Sequence, residues 1–263
     1  MATYRGISAW VGVNGDKLAQ HGVIQGLSDD EVPQVSCWIP SRVNDHFTVY
    51  LEATRKSYKK KDLAGYLQID GKSCGCLMLK AGQRRTACKR AVRTSESQAY
   101  QFRFEKILLT KDAKFRGKSH PRLGEIRIIV KAANIQTRDQ VEKRTRWFPH
   151  GAVEKRTVHV KNSKGLKHIV GFSAGDSGKP KNGRKMQTFL DVTPKETIVE
   201  FVFRYAPYEK LQADRIALKR KNSRPSKPRK ERVRVATKKV TEGMRASMKK
   251  KKTRPARKAK SQA

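Results

Sequence analysis

Apolar and polar residues alternate in short runs through the first 205 residues of the chain, the period-two spacing of strands buried on one face. Ile7 to Val13 sets Ala9, Val11 and Val13 on one side and ends at Asn14-Gly15, a two-residue hairpin signal. Gln34 to Ile39 reads as a strand stopped by Pro40, and His46 to Glu52 alternates Phe47, Val49 and Leu51 with Thr48, Tyr50 and Glu52. Gly65 to Ile69, a turn at Asp70-Gly71 and Ser73 to Leu79 predict a second hairpin. Tyr100 to Leu109, Leu123 to Ala132 and Thr197 to Tyr205 follow. In the last run Glu200 and Arg204 share a face expected to be wet, and Phe201, Phe203 and Tyr205 share the core face. Helical periodicity never persists for about 12 residues between these runs, which argues against parallel βαβ units. The expectation is a mainly β protein, an antiparallel β-sandwich or jelly-roll-like domain. A short helix from Tyr208 to Ala217 closes it, with Leu211 and Ile216 facing inward.

Two stretches break the pattern. Residues 136–195 are rich in Lys, Arg, Gly, Ser and Asn, and read as a long basic insertion carrying Trp147-Phe148-Pro149. Within it, Gly175 to Arg184 reads as an exposed loop of the kind that binds or moves. Residues 219–263 hold 20 Lys and Arg against two acids, Glu231 and Glu242, for a net +18, and no aromatic residue. Such a segment buries too little apolar surface to offset its ordering entropy and is expected to be a disordered tail. The domain organisation read from the sequence is therefore 1–218 for the β domain and 219–263 for the tail.

Charge narrows the partners. Residues 1–218 keep 41 basic and 21 acidic side chains, a net +20, so body and tail are both suited to a polyanion. A membrane partner is not expected, because no apolar run approaches the roughly 20 residues that span a bilayer. The start, Met-Ala-Thr-Tyr-Arg-Gly, fits neither a signal peptide nor a myristoylation site, and the end carries no prenylation box. Synthesis in the cytosol is expected. Lys219-Arg220-Lys221, a spacer and then Lys227, Arg229 and Lys230 have the form of a bipartite nuclear localisation signal. Lys249, Lys250, Lys251 and Lys252 with Arg254 make a second cluster. Importin is thus an expected partner and the nucleus the expected location. Val240, Met244 and Met248, four apart, could line one side of a short basic helix formed on binding.

Motifs in the body carry a resemblance. Cys37-Trp38-Ile39-Pro40-Ser41 precedes a Phe-x-Val strand; Leu123-Gly124-Glu125-Ile126 and His168-Ile169-Val170-Gly171 follow. The body closes on Phe201-Val202-Phe203-Arg204-Tyr205 and Leu211-Gln212-Ala213-x-x-Ile216. In this order, over roughly residues 5–218, they resemble a domain of unknown function widespread in mushroom-forming fungi; the basic arm lies outside it. The resemblance implies a β-rich single domain with no assigned activity and no catalytic residues to carry over.

Candidate chemistry is sparse. The six histidines sit in no His-Glu-x-x-His or His-x-His motif, and there is no P-loop and no Gly-x-Gly-x-x-Gly, so no cofactor is expected. Gly171-Phe172-Ser173-Ala174-Gly175 has nucleophile-elbow spacing, but the helix an elbow needs does not follow. Cys74 and Cys76 would share a strand face, with Cys37 and Cys88 as further zinc ligands. No Cys-x-x-Cys pair supports that, and small buried side chains are the preferred reading. Trp147 beside Arg144 and Arg146 suits base stacking with phosphate contacts. The competing and preferred reading is a loop anchored on the core by Trp147 and Phe148.

Together these features predict a non-enzymatic nuclear protein whose tail binds nucleic acid or chromatin through phosphates, with little sequence specificity. The alternatives are a protein-interaction module, with an acidic partner and a tail that serves only import, and an enzyme with an unrecognised site.

Overall fold

The computed structural model describes residues 1–54, 58, 61–82, 86–95, 98–115, 121–138, 148–149, 157–163, 165–174 and 189–218. The chain divides into two units, Met1–Lys219 and Arg220–Ala263, and every described residue belongs to the first. The strands in chain order are β1 (Ala2–Tyr4), β2 (Ile7–Val13), β3 (Asp16–Lys17), β4 (His21–Leu27), β5 (Pro33–Pro40) and β6 (Phe47–Ala53). They continue as β7 (Asp62–Ile69), β8 (Lys72–Leu79), β9 (Thr86–Lys89), β10 (Ala91–Arg93) and β11 (Ala99–Lys106). The last are β12 (Leu108–Thr110), β13 (Glu125–Arg138), β14 (Thr157–His159), β15 (His168–Ala174) and β16 (Phe189–Ala206), followed by helix α1 (Tyr208–Ala213).

A six-stranded sheet runs β4-β5-β16-β13-β7-β8. Opposite it lie the β1-β2-β6-β9 sheet, with β3 on β2, and the β10-β11-β15 sheet. These two are joined where His46 bridges Arg103, Asn44 N–H donates to Phe104 O and Phe104 N–H donates to Asp45 O. The mainly β reading holds, with one qualification of hand. Most pairs are antiparallel, but β5–β16 and β12–β14 are parallel. Alternation reports which face is buried and carries no information on strand direction. Parallel neighbours require a long connection, and β5 and β16 are far apart in the chain.

The two layers close on one core. β6 buries Phe47, Val49, Leu51 and Ala53 and leaves Thr48, Tyr50 and Glu52 half-buried, as its period predicts. Phe201, Phe203 and Tyr205 face the same interior. Phe47 stacks on Phe104 at 4.5 Å between centroids and on Phe102 at 5.5 Å, and Phe104 meets Tyr205 at 5.3 Å. Gly65 leaves room for Leu51 of the facing layer: a Cβ there would lie 2.7 Å from Leu51 Cδ2. The opposite face of β16 is wet only in part. Arg204 is exposed, but Glu200 is 6% exposed, with Arg127 Nη2 at 2.6 Å and Gln34 Nε2 at 2.8 Å. Long side chains on the neighbouring strands cover the carboxylate, which a single strand's pattern does not reveal.

Both expected two-residue turns form with positive φ at each position: 52° and 92° at Asn14-Gly15, 50° and 76° at Asp70-Gly71. The interval 136–195 contains more structure than its composition suggests. β13 and β16 run into it from both ends, and β14 and β15 lie within it. Ile169 and Val170 of β15 are buried. Pro194, opposite Ala133, sits where the β13–β16 register shifts, because it offers no N–H to the ladder. The loop 175–184 lies outside the described residues, as does the tail 219–263. The closing helix is shorter than expected: Arg215 at φ 57° ends the helical conformation, yet Leu211 is buried and Ile216 packs beside it as read from the sequence.

One carboxylate ties these elements together. Asp70, 2% exposed in the β7–β8 turn, accepts the Tyr205 hydroxyl at 2.7 and 2.9 Å, Gly124 N–H at 2.7 Å and Val170 N–H at 3.0 Å. Its own N–H donates to Glu125 O. Asp70→Ala should destabilise the fold by about 3–4 kcal/mol, since it strips charge-assisted bonds and leaves buried donors unmet. Tyr205→Phe, which removes one donor and no charge, should cost about 1–3 kcal/mol. Urea unfolding of both variants checks the order; equal stability of Asp70→Ala and wild type would refute the assignment.

Candidate nucleic-acid interface

Of the residues expected to contact nucleic acid or importin, Lys219, Arg220, Lys221, Lys227, Arg229, Lys230, Lys249, Lys250, Lys251, Lys252 and Arg254 lie outside the described residues. So do Arg144, Arg146 and Trp147. Their neighbour Phe148 is described, 9% exposed, and joins the main core. Its ring lies 5.2 Å from that of Phe172 and its N–H donates to Arg93 O at 2.8 Å. At Phe148 the anchor reading of the Trp147-Phe148 pair is therefore met.

The anchor sits among cations that alternation alone did not mark. Lys72 Nζ lies 5.7 Å over the Phe172 ring. Arg93 supplies the carbonyl that holds Phe148, and Arg90 supplies the one that holds Phe102 N–H at 3.0 Å. Arg90 and Arg93 are exposed. Lys89 Nζ comes within 3.1 Å of where a Cβ on Gly75 would stand, which places it over the β8 turn of backbone next to Lys72. The sequence signal was available in the Lys89-Arg90-Ala91-Val92-Arg93 run. What it lacked was the fold that brings this run's backbone beside Phe148 and Phe172. A half-buried ring under an ammonium group, with exposed arginines on the adjoining backbone, suits phosphate contacts.

The cysteines separate instead of gathering. Cys74 and Gly75 together oppose Leu67, a one-residue bulge allowed by Gly75 at φ 85°. The bulge turns Cys74 into the core and Cys76 to the other face, against the same-face expectation. Cys37 is also buried, and Cys88 is exposed. Burial pushes the Cys37 and Cys74 thiols up to about 12, and Cys76 upward as well. Among the described residues no three His, Cys, Asp or Glu side chains gather as a metal-binding group. In the native protein a maleimide should label Cys88 quickly, with Cys37 and Cys74 reacting only on unfolding; mass spectrometry of the tryptic peptides reads the order.

Two Ser–His contacts form. Ser41 Oγ lies 2.8 Å from His168 Nδ1, with Glu209 close enough to act on the ring electrostatically. Burial lowers the His168 pKa, Glu209 opposes the shift, and Lys167 adds to it. Acyl transfer needs an accessible hydroxyl and oxyanion donors. Ser41 is 6% exposed and its N–H donates to Ala206 O at 2.8 Å. The pair is a clasp joining the ends of β5 and β16 to the start of β15. Ser173 lies within β15, 3.5 Å from His46 Nδ1, so the elbow-like spacing is strand backbone and not a strand-to-helix turn.

Residues 6–219 match the family described as Domain of unknown function (DUF7918). The chain belongs to this family. No curated protein and no solved structure matches the chain. The family match starts beside Gly6 and ends where the basic arm begins, and it includes Asp70, Tyr205, Ser41 and His168.

A lowered histidine pKa has a definite sign. The folded ring stays neutral while the unfolded ring protonates as pH falls through 6.5, so the stability present above 6.5 is lost below it. The drop in stability between about pH 7.5 and 5.5 should be smaller in His168→Asn than in wild type. An unchanged drop, measured by urea unfolding at each pH, would remove His168 from this role.

Proposed function

We propose that the chain is a non-enzymatic nuclear protein that binds nucleic acid or chromatin, with the arm 219–263 supplying most of the affinity through phosphates. The observation that carries this reading is charge: +18 on a 45-residue arm joined to a body of +20. Lysines and arginines that neutralise phosphates release condensed counterions, which drives association with any duplex. Lys72 over the Phe172 ring, with exposed Arg90 and Arg93 on the backbone that holds Phe102 and Phe148, supports a secondary contact from the body. Entry to the nucleus through importin fits the clusters at 219–230 and 249–254. Phosphate contacts position without reading bases, so the expected binding is weakly sequence-specific.

A second reading, a protein-interaction module carried to the nucleus by its tail, draws on one observation. Exposed apolar residues concentrate on β4, where Val23, Ile24 and Leu27 are 41%, 64% and 68% exposed. Monomeric proteins seldom display such a row without a partner.

Fluorescence anisotropy with unrelated duplexes across a salt series tests the leading reading. The arm engages on the order of 6–10 phosphates, so affinity should fall about 10³–10⁵-fold between 50 and 200 mM salt. Deleting 219–263 should weaken binding to all sequences alike and flatten the slope. Little affinity of the full chain near physiological salt would defeat the proposal. Affinity that survives the deletion but falls with Lys72→Ala and Arg93→Ala would move the site to the body. A fluorescent fusion should concentrate in nuclei and lose that on neutralising both clusters.

A further inference from the structure

We propose that β4 is a self-association edge, at which a second copy of this chain pairs antiparallel across a two-fold axis at Gln25. The inference is independent of nucleic-acid binding, and it names the partner for the interaction-module reading.

Among the described residues β4 is the end strand of the six-stranded sheet, hydrogen-bonded on one side to β5. Alternate residues of an edge strand direct N–H and C=O groups away from their only neighbour, and these template another strand. Natural edges are usually blocked by Lys, by Pro, by inward charges or by β-bulges; β4 has one irregularity, between His21 and Ile24, which leaves Ile24–Leu27 as its regular stretch. From His21 to Leu27 there is no charged residue besides the histidine and no proline. The setting makes this unusual. Residues 18–41 hold no Lys or Arg, the longest such stretch in a chain of net +38. The adjoining β4–β5 turn carries exposed Asp29, Asp30 and Glu31. Two strongly cationic chains repel one another, and this hairpin is where the repulsion is least.

The side chains are self-complementary. The β4–β5 register pairs Ile24 with Ser36, Gln25 with Val35, Gly26 with Gln34 and Leu27 with Pro33. Gln25 and Leu27 therefore share the inward side of the sheet with Val35, and Ile24 and Gly26 share the other. Centred on Gln25, antiparallel pairing sets Ile24 opposite the partner's Gly26, and brings Val23, at the end of the β4 irregularity, to the level of the partner's Leu27. A large residue meets the smallest, and two exposed apolar residues meet each other. Gln25, which donates to Thr3 O at 3.2 Å, faces its own copy. At each end of the seam the acidic turn of one copy points toward the His21 end of the other. A seam of one strand pair is small, so the association is concentration-dependent, with a dissociation constant on the order of micromolar.

Sedimentation velocity of the full chain without nucleic acid tests this. The mass should rise from one chain, 29.9 kDa, toward two with increasing concentration. Association should strengthen as salt rises from about 0.05 to 0.5 M, because screening removes self-repulsion. That is the reverse of the salt response of phosphate binding. Ile24→Lys with Leu27→Lys, at exposed positions, should weaken it about tenfold or more. In a Cys88→Ser background, Gln25→Cys should form a disulfide-linked dimer under mild oxidation. Val23→Cys, which the axis separates from its own copy, should not. A monomer throughout would leave the edge to a strand of another protein and overturn the proposal. A dimer indifferent to the lysine pair, or one that cross-links equally at both positions, would overturn it too.

Discussion

The buried Asp70 carboxylate is the constraint on which the rest of the body depends. It receives the Tyr205 hydroxyl from β16, Gly124 N–H from the approach to β13 and Val170 N–H from β15. Those three segments are remote in the chain and belong to both layers of the sandwich. A carboxylate removed from water must be met by donors or it is expelled. Satisfying it requires β13, β15 and β16 to be in register together. Tyr205 extends the linkage inward, because its ring meets Phe104, which stacks on Phe47. One turn residue thereby couples sheet closure to aromatic packing. The type I′ turn at Asp70-Gly71 keeps that carboxylate in place.

The core and the cations occupy separate regions of the body. The core is apolar and aromatic, and the buried carboxylates among the described residues, Asp70 and Glu200, are each met by named donors. The cations lie outside it. Lys72 stands on Phe172 of β15, whose position follows from the Asp70 linkage through Val170. Phe148 packs on the same ring. The β4–β5 hairpin is the exception to this charge distribution, with no Lys or Arg and with three acids at its tip. The exposed cations and the Lys- and Arg-free edge are thus carried by separate parts of one sheet system.

Local irregularities set which residues reach the surface. The bulge at Cys74-Gly75 divides two cysteines that a regular strand would place together, and it brings Lys89 over the bend. The register shifts opposite Pro194 let β13 and β16 continue well past the run that alternation marks. Each device inserts a residue on one strand and changes the side of every residue beyond it.

The sequence by itself determined the mainly β class, the two type I′ turns, the inward face of β2, β6 and β16 and the closing Leu211 and Ile216. Each of these depends on neighbours within a few residues: alternation, Asn-Gly or Asp-Gly chemistry, a short apolar spacing. It also determined the charge division between body and arm, which is a property of composition. Only the tertiary structure decided that β5 lies parallel to β16, that Glu200 is covered, that Cys74 and Cys76 part, and that Ser41 meets His168. The same holds for the contact of Lys72 with Phe172, which joins β8 to β15. β4 was illegible for a related reason: an edge strand buries little, so selection for burial leaves no period-two mark on it. Pairings between distant segments carry no signature in either segment alone, and they are what assembles a surface.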